Sequence, residues 1–261
     1  MTQSAAFRWK HRSAAIAGMA VACASFAHAQ TADTTLFTCG ERLTYDIRTD
    51  KFGNVGSAVM ALTGPFDVRG VETVMASLTA SAGIAFLKGH DATRSWFDPV
   101  RMTSLRYQKI EKRPFASYVD SIEIYPGLRH WDGLRGDSGS TASDRPLDEL
   151  AFLYFLRTLT LAPDSTYTFD RHYDKRRDPT TVRVVKHESL STPAGTFNTV
   201  EYEMKVINAR DFKSLSVLYV WVSEDRCRFP VRIESVMPLL GNGIMTLQTA
   251  SSPNCPSLAK K

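Results

Sequence analysis

The chain has 261 residues, of which 43% are hydrophobic, and a formal net charge of +5. This length and apolar content allow a sizeable hydrophobic core and exclude a disordered chain. Three of the 32 basic residues and none of the 27 acidic residues lie in positions 1–29, so the remaining chain carries 29 basic and 27 acidic residues. A net charge of +2 without a basic patch argues against nucleic acid as a partner.

The first 29 residues have the layout of a secretory signal peptide. Three basic residues lie between positions 8 and 12, an Ala-rich apolar stretch runs from about 14 to 26, and Ala27-His28-Ala29 forms a small-x-small cleavage site. The apolar stretch is shorter than the roughly 20 residues that a membrane-spanning helix needs. We therefore predict a periplasmic, exported protein with no transmembrane segment in the mature chain.

Three cysteines lie beyond the signal peptide. An exported protein meets an oxidising compartment, which favours one disulfide. Two strands predicted on either side of residue 240 fold back on each other and bring Cys227 close to Cys255. We predict a Cys227–Cys255 disulfide, with Cys39–Cys255 as the alternative. Cys23, inside the signal, leaves a lipid-anchored protein open as an alternative location.

From residue 40 onward, apolar and polar residues alternate with the period of a β-strand. Turns rich in Gly and Pro separate the strands, and one such break is predicted at Gly64-Pro65. The strand at 214–223 is apolar on both faces, which is typical of an interior strand. Strands are predicted at about 43–48, 55–62, 71–80, 94–98, 102–110, 115–125, 128–131, 166–171, 180–188, 196–207, 214–223, 229–237 and 243–250.

A polar loop at 132–145 precedes the one predicted helix, at about 147–159. Asp144 is the expected helix cap, and Pro146 suits the first turn. The helix is apolar nearly all round, so it must be buried across a sheet or inside its concave face. The predicted fold is therefore mainly β, an antiparallel curved sheet or a two-sheet sandwich with one buried apolar helix. We expect a single β-rich domain over residues 30–261.

The sequence lacks the motifs of familiar enzymes. Residues 136–140 resemble the nucleophile segment of a trypsin-type protease, but no histidine has the matching context. Glu201 and Glu203 share one face of a strand, and an exposed polar face accounts for them. The histidines beyond the signal form no metal-binding spacing. We expect no catalytic residue, no metal and no cofactor.

Several aromatic residues are candidates for a ligand pocket, since pockets are mostly apolar with a few polar groups. We select Trp96, Phe155 and Trp221 as lining residues, although each also suits an ordinary core. Arg157 is a candidate for binding an anionic headgroup, although an arginine at a helix C-terminus also favours the helix dipole.

Four segments, in this order, resemble the DUF3108 family of exported bacterial proteins. They are Gly40–Asp46, Leu153–Arg157, Ser191–Phe197 and the run from Val220 to Glu234. The resemblance covers about residues 39–250. It implies a β-rich envelope protein of unestablished function and supplies no catalytic residues. The cysteines are not part of the family pattern, so the disulfide prediction depends on strand geometry alone.

Three functions remain open. The leading hypothesis is a non-enzymatic binder or carrier of an apolar or amphipathic envelope molecule, such as a lipid or an acyl chain. The alternative is a structural or assembly factor of the cell envelope that acts through protein partners. The third is a hydrolase of cell wall or glycan, which requires a polar cleft with carboxylates or histidines of perturbed pKa.

Overall fold

The computed structural model describes residues 36–84, 87–209, 211–237 and 241–255. The predicted signal peptide at 1–29 and Cys23 lie outside these residues. Of the helices in the described ranges, none has the length and apolar character to cross a bilayer.

The described chain forms fourteen strands and one α-helix. The helix, α1, spans Glu149–Leu156, between the eighth and ninth strands. The strands are β1 (Arg42–Thr49), β2 (Gly53–Val68), β3 (Val71–Ile84), β4 (Leu87–Asp98), β5 (Thr103–Arg113), β6 (Ala116–Tyr125), β7 (His130–Gly133), β8 (Ser138–Ser140), β9 (Thr166–Phe169), β10 (Thr180–Thr192), β11 (Gly195–Ile207), β12 (Leu215–Ser223), β13 (Pro230–Met237) and β14 (Gly241–Ser251).

All fourteen strands belong to one antiparallel curved sheet, so the curved-sheet alternative is confirmed and the two-sheet sandwich is not. Strands β1 to β8 lie side by side in chain order, as do β9 to β14, and β1 pairs with β14 to join the two runs. The short strands β8 and β9 form the two edges. As predicted, β12 is an interior strand, between β11 and β13.

The antiparallel register gives the sheet two ends, which we call upper and lower. The turns at 50–52, 114–115 and 208–214 lie at the upper end. The turns at 99–102 and 126–129 lie at the lower end. We call the face that packs on α1 the inner face and the opposite face the outer face.

Two predicted breaks differ from the structure. Strand β2 runs through Gly64-Pro65, because a register shift between Thr63 and Phe66 absorbs both residues in a bulge. The predicted loop at 132–145 contains β8, which pairs with β7.

Helix α1 is shorter than the predicted 147–159, and its cap is Asp148 rather than Asp144. The Asp148 Oδ1 atom accepts hydrogen bonds from the backbone N–H groups of Leu150 and Ala151, at 3.0 and 2.9 Å. Its other carboxylate oxygen accepts the Ser95 hydroxyl of β4, at 2.6 Å. These contacts fix the start of α1 near the lower ends of β4 and β5.

One hydrophobic core fills the space between α1 and the inner face, as the apolar character of the helix predicts. Leu150, Tyr154 and Leu156 of α1 pack there with residues from both runs of strands, including Leu43 of β1 and Val220 of β12. The alternation of each strand supplies this face with apolar side chains.

The segments that follow the two edge strands pair with each other. The Leu147 N–H donates to the Arg171 carbonyl at 2.5 Å, and the Tyr173 N–H donates to the Leu147 carbonyl at 3.0 Å. Tyr173 then packs edge-on against Trp131 of β7, with ring centroids 5.6 Å apart. This contact links the β9 edge to the β5–β8 part of the sheet.

Candidate functional site

The four residues selected from the sequence do not lie around one pocket. Trp96 and Trp221 are on the outer face, because their strand neighbours Phe97 and Val220 belong to the inner core. Phe155 and Arg157 lie on the inner side, in and just after α1. The inner and outer pairs are therefore separated by the sheet.

The outer-face position of Trp221 is held by two charged neighbours. Its ring is only 6% exposed, its Nε1–H donates to Glu188 Oε1 at 2.7 Å, and the Arg232 guanidinium lies 5.1 Å from the ring centroid. Trp96 has a similar neighbour, since the Arg106 guanidinium lies 5.8 Å from its ring. Both tryptophans are covered by cations of neighbouring strands.

Arg157 forms a buried ion pair with Glu41, which directly precedes β1. Its two Nη atoms donate to the two carboxylate oxygens at 2.7 and 2.8 Å, and neither side chain has more than 1% of its surface exposed. Its Nε–H and Nη2 also donate to the carbonyls of Arg228 and Cys227. This guanidinium anchors the end of α1 to the lower end of the sheet, and it presents no exposed surface to a headgroup.

Phe155 lies on the side of α1 that faces the β9 edge. Its ring packs edge-on against Phe169 of β9 at 5.4 Å, and the Arg171 guanidinium lies 4.5 Å from it. The ring is partly exposed, unlike the other large apolar side chains of the helix.

The predicted disulfide is confirmed. Cys227 and Cys255 are bonded, with their Cα atoms 5.9 Å apart, and Cys39 is a free thiol. Because Cys227 also accepts a hydrogen bond from Arg157, the bridge ties the segment after β14 to the region beneath α1.

The upper half of the inner face is apolar but incompletely covered. Along β3, Val74 and Ala76 are buried, whereas Leu78, Ala80 and Ala82 farther up are partly exposed. The same change occurs on other strands at the same height. Partly exposed inner-face residues there are Val55, Val206, Leu218 and Met245.

This burial gradient follows from the position of α1. The cap of the helix contacts Ser95 near the lower end of β4, and Arg157 directly after the helix contacts Glu41 below β1, so the helix lies away from the upper parts of β2 and β3. The sequence analysis did not select these residues, although the alternation that predicted the strands also places them on the inner face.

A row of charged residues borders this apolar area on β4, β5 and β6. Asp91 lies opposite Ala80 and Glu111, so it shares their face, and Lys109 lies opposite Asp120. Arg113 pairs with Asp91, and Lys109 pairs with Glu111 at 2.6 Å. The upper inner face therefore has an apolar part and an adjoining polar part.

A cleft of about 240 Å³ opens at the upper end of β2, β3 and β4. It is lined by Val55, Ser81, Ala82, Gly83, Lys88 and Gly89.

Three carboxylates with shifted pKa values, Asp148, Glu201 and Glu203, are engaged in other contacts. Burial raises the pKa of Asp148 to about 6, but its Oδ1 caps α1 and its Oδ2 accepts the Ser95 hydroxyl. Hydrogen bonding to Arg183 lowers the pKa of Glu203 to about 2, and burial raises the pKa of Glu201. Both glutamates lie on the outer face beside Lys186, Arg183 and Lys205. Within the described ranges, no group of three or more His, Cys, Asp or Glu side chains is suited to hold a metal ion.

Three bacterial proteins are among the solved structures that match this chain. A Brucella abortus protein, named as a β-barrel-like protein of domain of unknown function DUF1849, is 10% identical, covers 81% of this chain and 96% of its own, and has a TM-score of 0.51. This likeness shows a shared fold. A Bacteroides fragilis protein, named as exported with a YmcC-like fold, is 15% identical and covers 82% of this chain and 97% of its own, with a TM-score of 0.34. A Parabacteroides distasonis protein, named as a lipoprotein, is 13% identical over 82% of this chain and 96% of its own, with a TM-score of 0.31.

None of the curated proteins has a significant match to this chain. A family model described as a protein of unknown function, DUF3108, matches residues 43–248. That range includes α1, the whole of β2 to β13, all of β1 except Arg42, and β14 as far as Gln248. The chain therefore belongs to the DUF3108 family.

Proposed function

We propose that this protein is a non-enzymatic, exported binder of an apolar or amphipathic envelope molecule, which it holds on the upper inner face of the sheet. The observation that carries the proposal is the burial gradient. Apolar side chains such as Leu78, Ala80 and Leu218 continue up the inner face beyond the reach of α1 and remain partly exposed. Contiguous apolar surface that stays exposed usually marks a binding site.

The character of the neighbouring surface defines the ligand class. An acyl chain or similar apolar group suits the part lined by Ala80, Ala82 and Met245. The charged row that includes Asp91 and Lys109 suits a polar headgroup. An amphipathic lipid satisfies both parts, because pockets combine an apolar lining with a few polar groups that set orientation.

The role of α1 in this proposal is to close the lower end. The Arg157–Glu41 pair and the Asp148 cap hold it in place at both of its ends. A ligand therefore enters from the upper end while α1 remains on the sheet.

The first test is mass spectrometry of an organic extract of protein made in the periplasm and purified without detergent. We expect an amphipathic lipid in a stoichiometric amount. The second test is binding of the fluorescent probe N-phenyl-1-naphthylamine to two matched variants. Ala80→Trp fills the inner face, whereas Thr79→Trp places the same ring on the outer face at the same height.

We expect Ala80→Trp to weaken probe binding about tenfold, as the loss of one well-placed apolar contact does. Thr79→Trp should bind the probe like the unaltered protein. An empty extract together with equal probe binding by both variants would reject this function and favour the assembly factor that acts through protein partners.

A further inference from the structure

The first half of β6 has a neighbouring strand on one side only. Strand β5 pairs with residues 116–123 of β6, whereas β7 pairs only with residues 122–125. In the described chain, residues 116–120 therefore form an open edge. The unpaired backbone groups of such an edge are a template on which another strand can pair.

Exposed apolar side chains are concentrated at this edge. Ten large apolar side chains are exposed among the described residues, and four of them lie here: Phe115, Tyr118, Val119 and Leu134, with exposed fractions of 91%, 38%, 46% and 64%. Leu134 belongs to the turn after β7, and its N–H donates to the Ser121 carbonyl at 2.8 Å, next to the open segment. Apolar surface grouped in this way marks an interaction site.

The backbone groups of alternate β6 residues point out of the open edge. The Ser121 carbonyl accepts a hydrogen bond from the turn after β7, and the Val119 carbonyl accepts one from Arg135 Nη2 at 3.4 Å. Both donors lie on the open side. Because backbone groups alternate between the two sides of a strand, those of Ser117 also point outward, whereas those of Tyr118 point to β5.

The open part of β10 has a different character. Strand β9 pairs with β10 only as far as Arg183, so residues 186–192 also lack a second strand among the described residues. Lys186 is exposed on that edge, and an edge lysine discourages pairing with another chain. The segment 116–120 contains neither lysine nor proline, so β6 is the open edge that is suited to pair.

We propose that β6 pairs with β6 of a second copy of this chain, in an antiparallel register centred on Tyr118. This register places Ser117 opposite Val119 of the other copy, and the same pair recurs on the far side of the two-fold axis. The outward N–H and C=O groups of these residues then form four hydrogen bonds. A register centred on Val119 would instead need the Ser121 carbonyl, which already accepts the N–H from the turn after β7.

The side chains at this edge are complementary in the register centred on Tyr118. Phe115 lies opposite Ser121 of the other copy and therefore reaches Leu134 beside it. The two Tyr118 rings lie opposite each other on one face of the joined sheet, where aromatic cross-strand pairs are favourable, and no like charges lie opposite each other. Each of these contacts occurs twice or lies on the axis, as a two-fold dimer requires.

The first test is sedimentation equilibrium of the purified protein over a range of concentrations, which needs no bound ligand. The joined surface is one strand wide, so we expect a dimer with a dissociation constant on the order of 10 µM. Val119→Pro removes two of the four hydrogen bonds but keeps the pairing with β5, and it should raise this constant about a hundredfold. The matched variant Val119→Thr keeps the outward N–H and should dimerise like the unaltered protein. Circular dichroism checks that both variants fold.

A cysteine at the proposed axis reports the register directly. In a Cys39→Ser background, Tyr118→Cys should form a disulfide between two copies on oxidation. The reason is that facing residues at such a position have Cα atoms about 4.5 Å apart, within the range of a disulfide. The control is Asp120→Cys, whose two copies would lie roughly 14 Å apart and should stay unlinked.

Three results would overturn the proposal. They are a monomer at about ten times the expected dissociation constant, equal dimerisation of Val119→Pro and Val119→Thr, and crosslinking at position 120 in place of position 118. A monomer that captures an extended segment of another protein at this edge, and loses it in Val119→Pro, would also overturn it, because the occupant would not be a second copy.

Discussion

Arg157 and Glu41 form a two-hydrogen-bond ion pair with both side chains buried, 116 positions apart in the chain. Removing one member of a buried pair leaves an uncompensated charge, which costs about 3–5 kcal/mol. We expect Arg157→Ala and Glu41→Ala each to lower the free energy of unfolding by this amount in a urea titration.

The double variant tests whether the loss comes from the pair itself. Arg157→Met with Glu41→Leu removes both charges and keeps apolar volume, so it should be more stable than either single alanine variant. Arg113→Ala, which breaks an exposed pair with Asp91, should cost less than about 1 kcal/mol. Additive losses in the double variant would contradict this account.

Asp148 should make the free energy of unfolding depend on pH, and the direction of its pKa shift fixes the sign. Burial raises its pKa to about 6 in the folded protein, so the folded state binds the proton more tightly than the unfolded state. The stabilisation that this raised pKa gives the folded protein is fully present below about pH 4 and is lost as the pH rises through about 6. The loss is on the order of 3 kcal/mol.

Asp148→Asn keeps a side-chain oxygen for the cap and removes the titration. Between about pH 4 and 6, the fall in unfolding free energy should therefore be smaller in this variant than in the unaltered protein. Parallel curves from urea titrations at several pH values would show that Asp148 does not carry the effect. Asp178, whose pKa burial also raises to about 6, contributes in the same direction to both curves.

The disulfide should stabilise the protein by constraining the unfolded chain. Its cysteines are 28 positions apart, a loop for which the chain-entropy relation gives about 3–4 kcal/mol. Cys227→Ser should lower the free energy of unfolding by this amount. A reductant should lower the free energy of unfolding of the unaltered protein to the same value. Cys39→Ser is the control and should keep its sensitivity to reductant, whereas reductant sensitivity that persists in Cys227→Ser would exclude this bridge as its cause.

Tyr173 should be needed to hold the two edges of the sheet together. Its ring is buried between Trp131 and Tyr107, at centroid distances of 5.6 and 6.0 Å. Tyr173→Ala removes these contacts, and we expect a loss of about 3 kcal/mol with a red shift of Trp131 fluorescence. Tyr118→Ala, at an exposed ring, should cost less than about 1 kcal/mol. Unchanged fluorescence in Tyr173→Ala would mean that the edges do not depend on this ring.

Strand positions were predictable because alternation is a local signal. It located most of the strands and the interior position of β12. It failed at Gly64-Pro65, where a bulge lets β2 continue, and at β8, whose three small residues carry no apolar pattern. The helix cap was misplaced because Asp144 and Asp148 are both plausible caps, and only the contact with Ser95 on β4 decides between them.

The site was less predictable because it depends on which face of a strand each residue occupies. Trp221 belongs to a strand with apolar residues on both faces, so alternation could not assign its side of the sheet. Arg157 has the expected charge for a headgroup, but its partner Glu41 is distant in sequence and no local spacing reveals it.

The pairing of β1 with β14, which we call the seam, depends on both ends of the folded chain. Within β1–β8 and β9–β14 every pairing joins neighbours in the chain, so we expect these local pairings to form early. The seam joins residues such as Thr44 and Thr249, which are 205 positions apart, so it cannot form before β14 is available. A chain that stops before β14 keeps β1 and β13 as open edges of eight residues each, which invite pairing with another chain. A complete β14 is thus a condition for a sheet whose outermost described strands are the three residues of β8 and the four of β9.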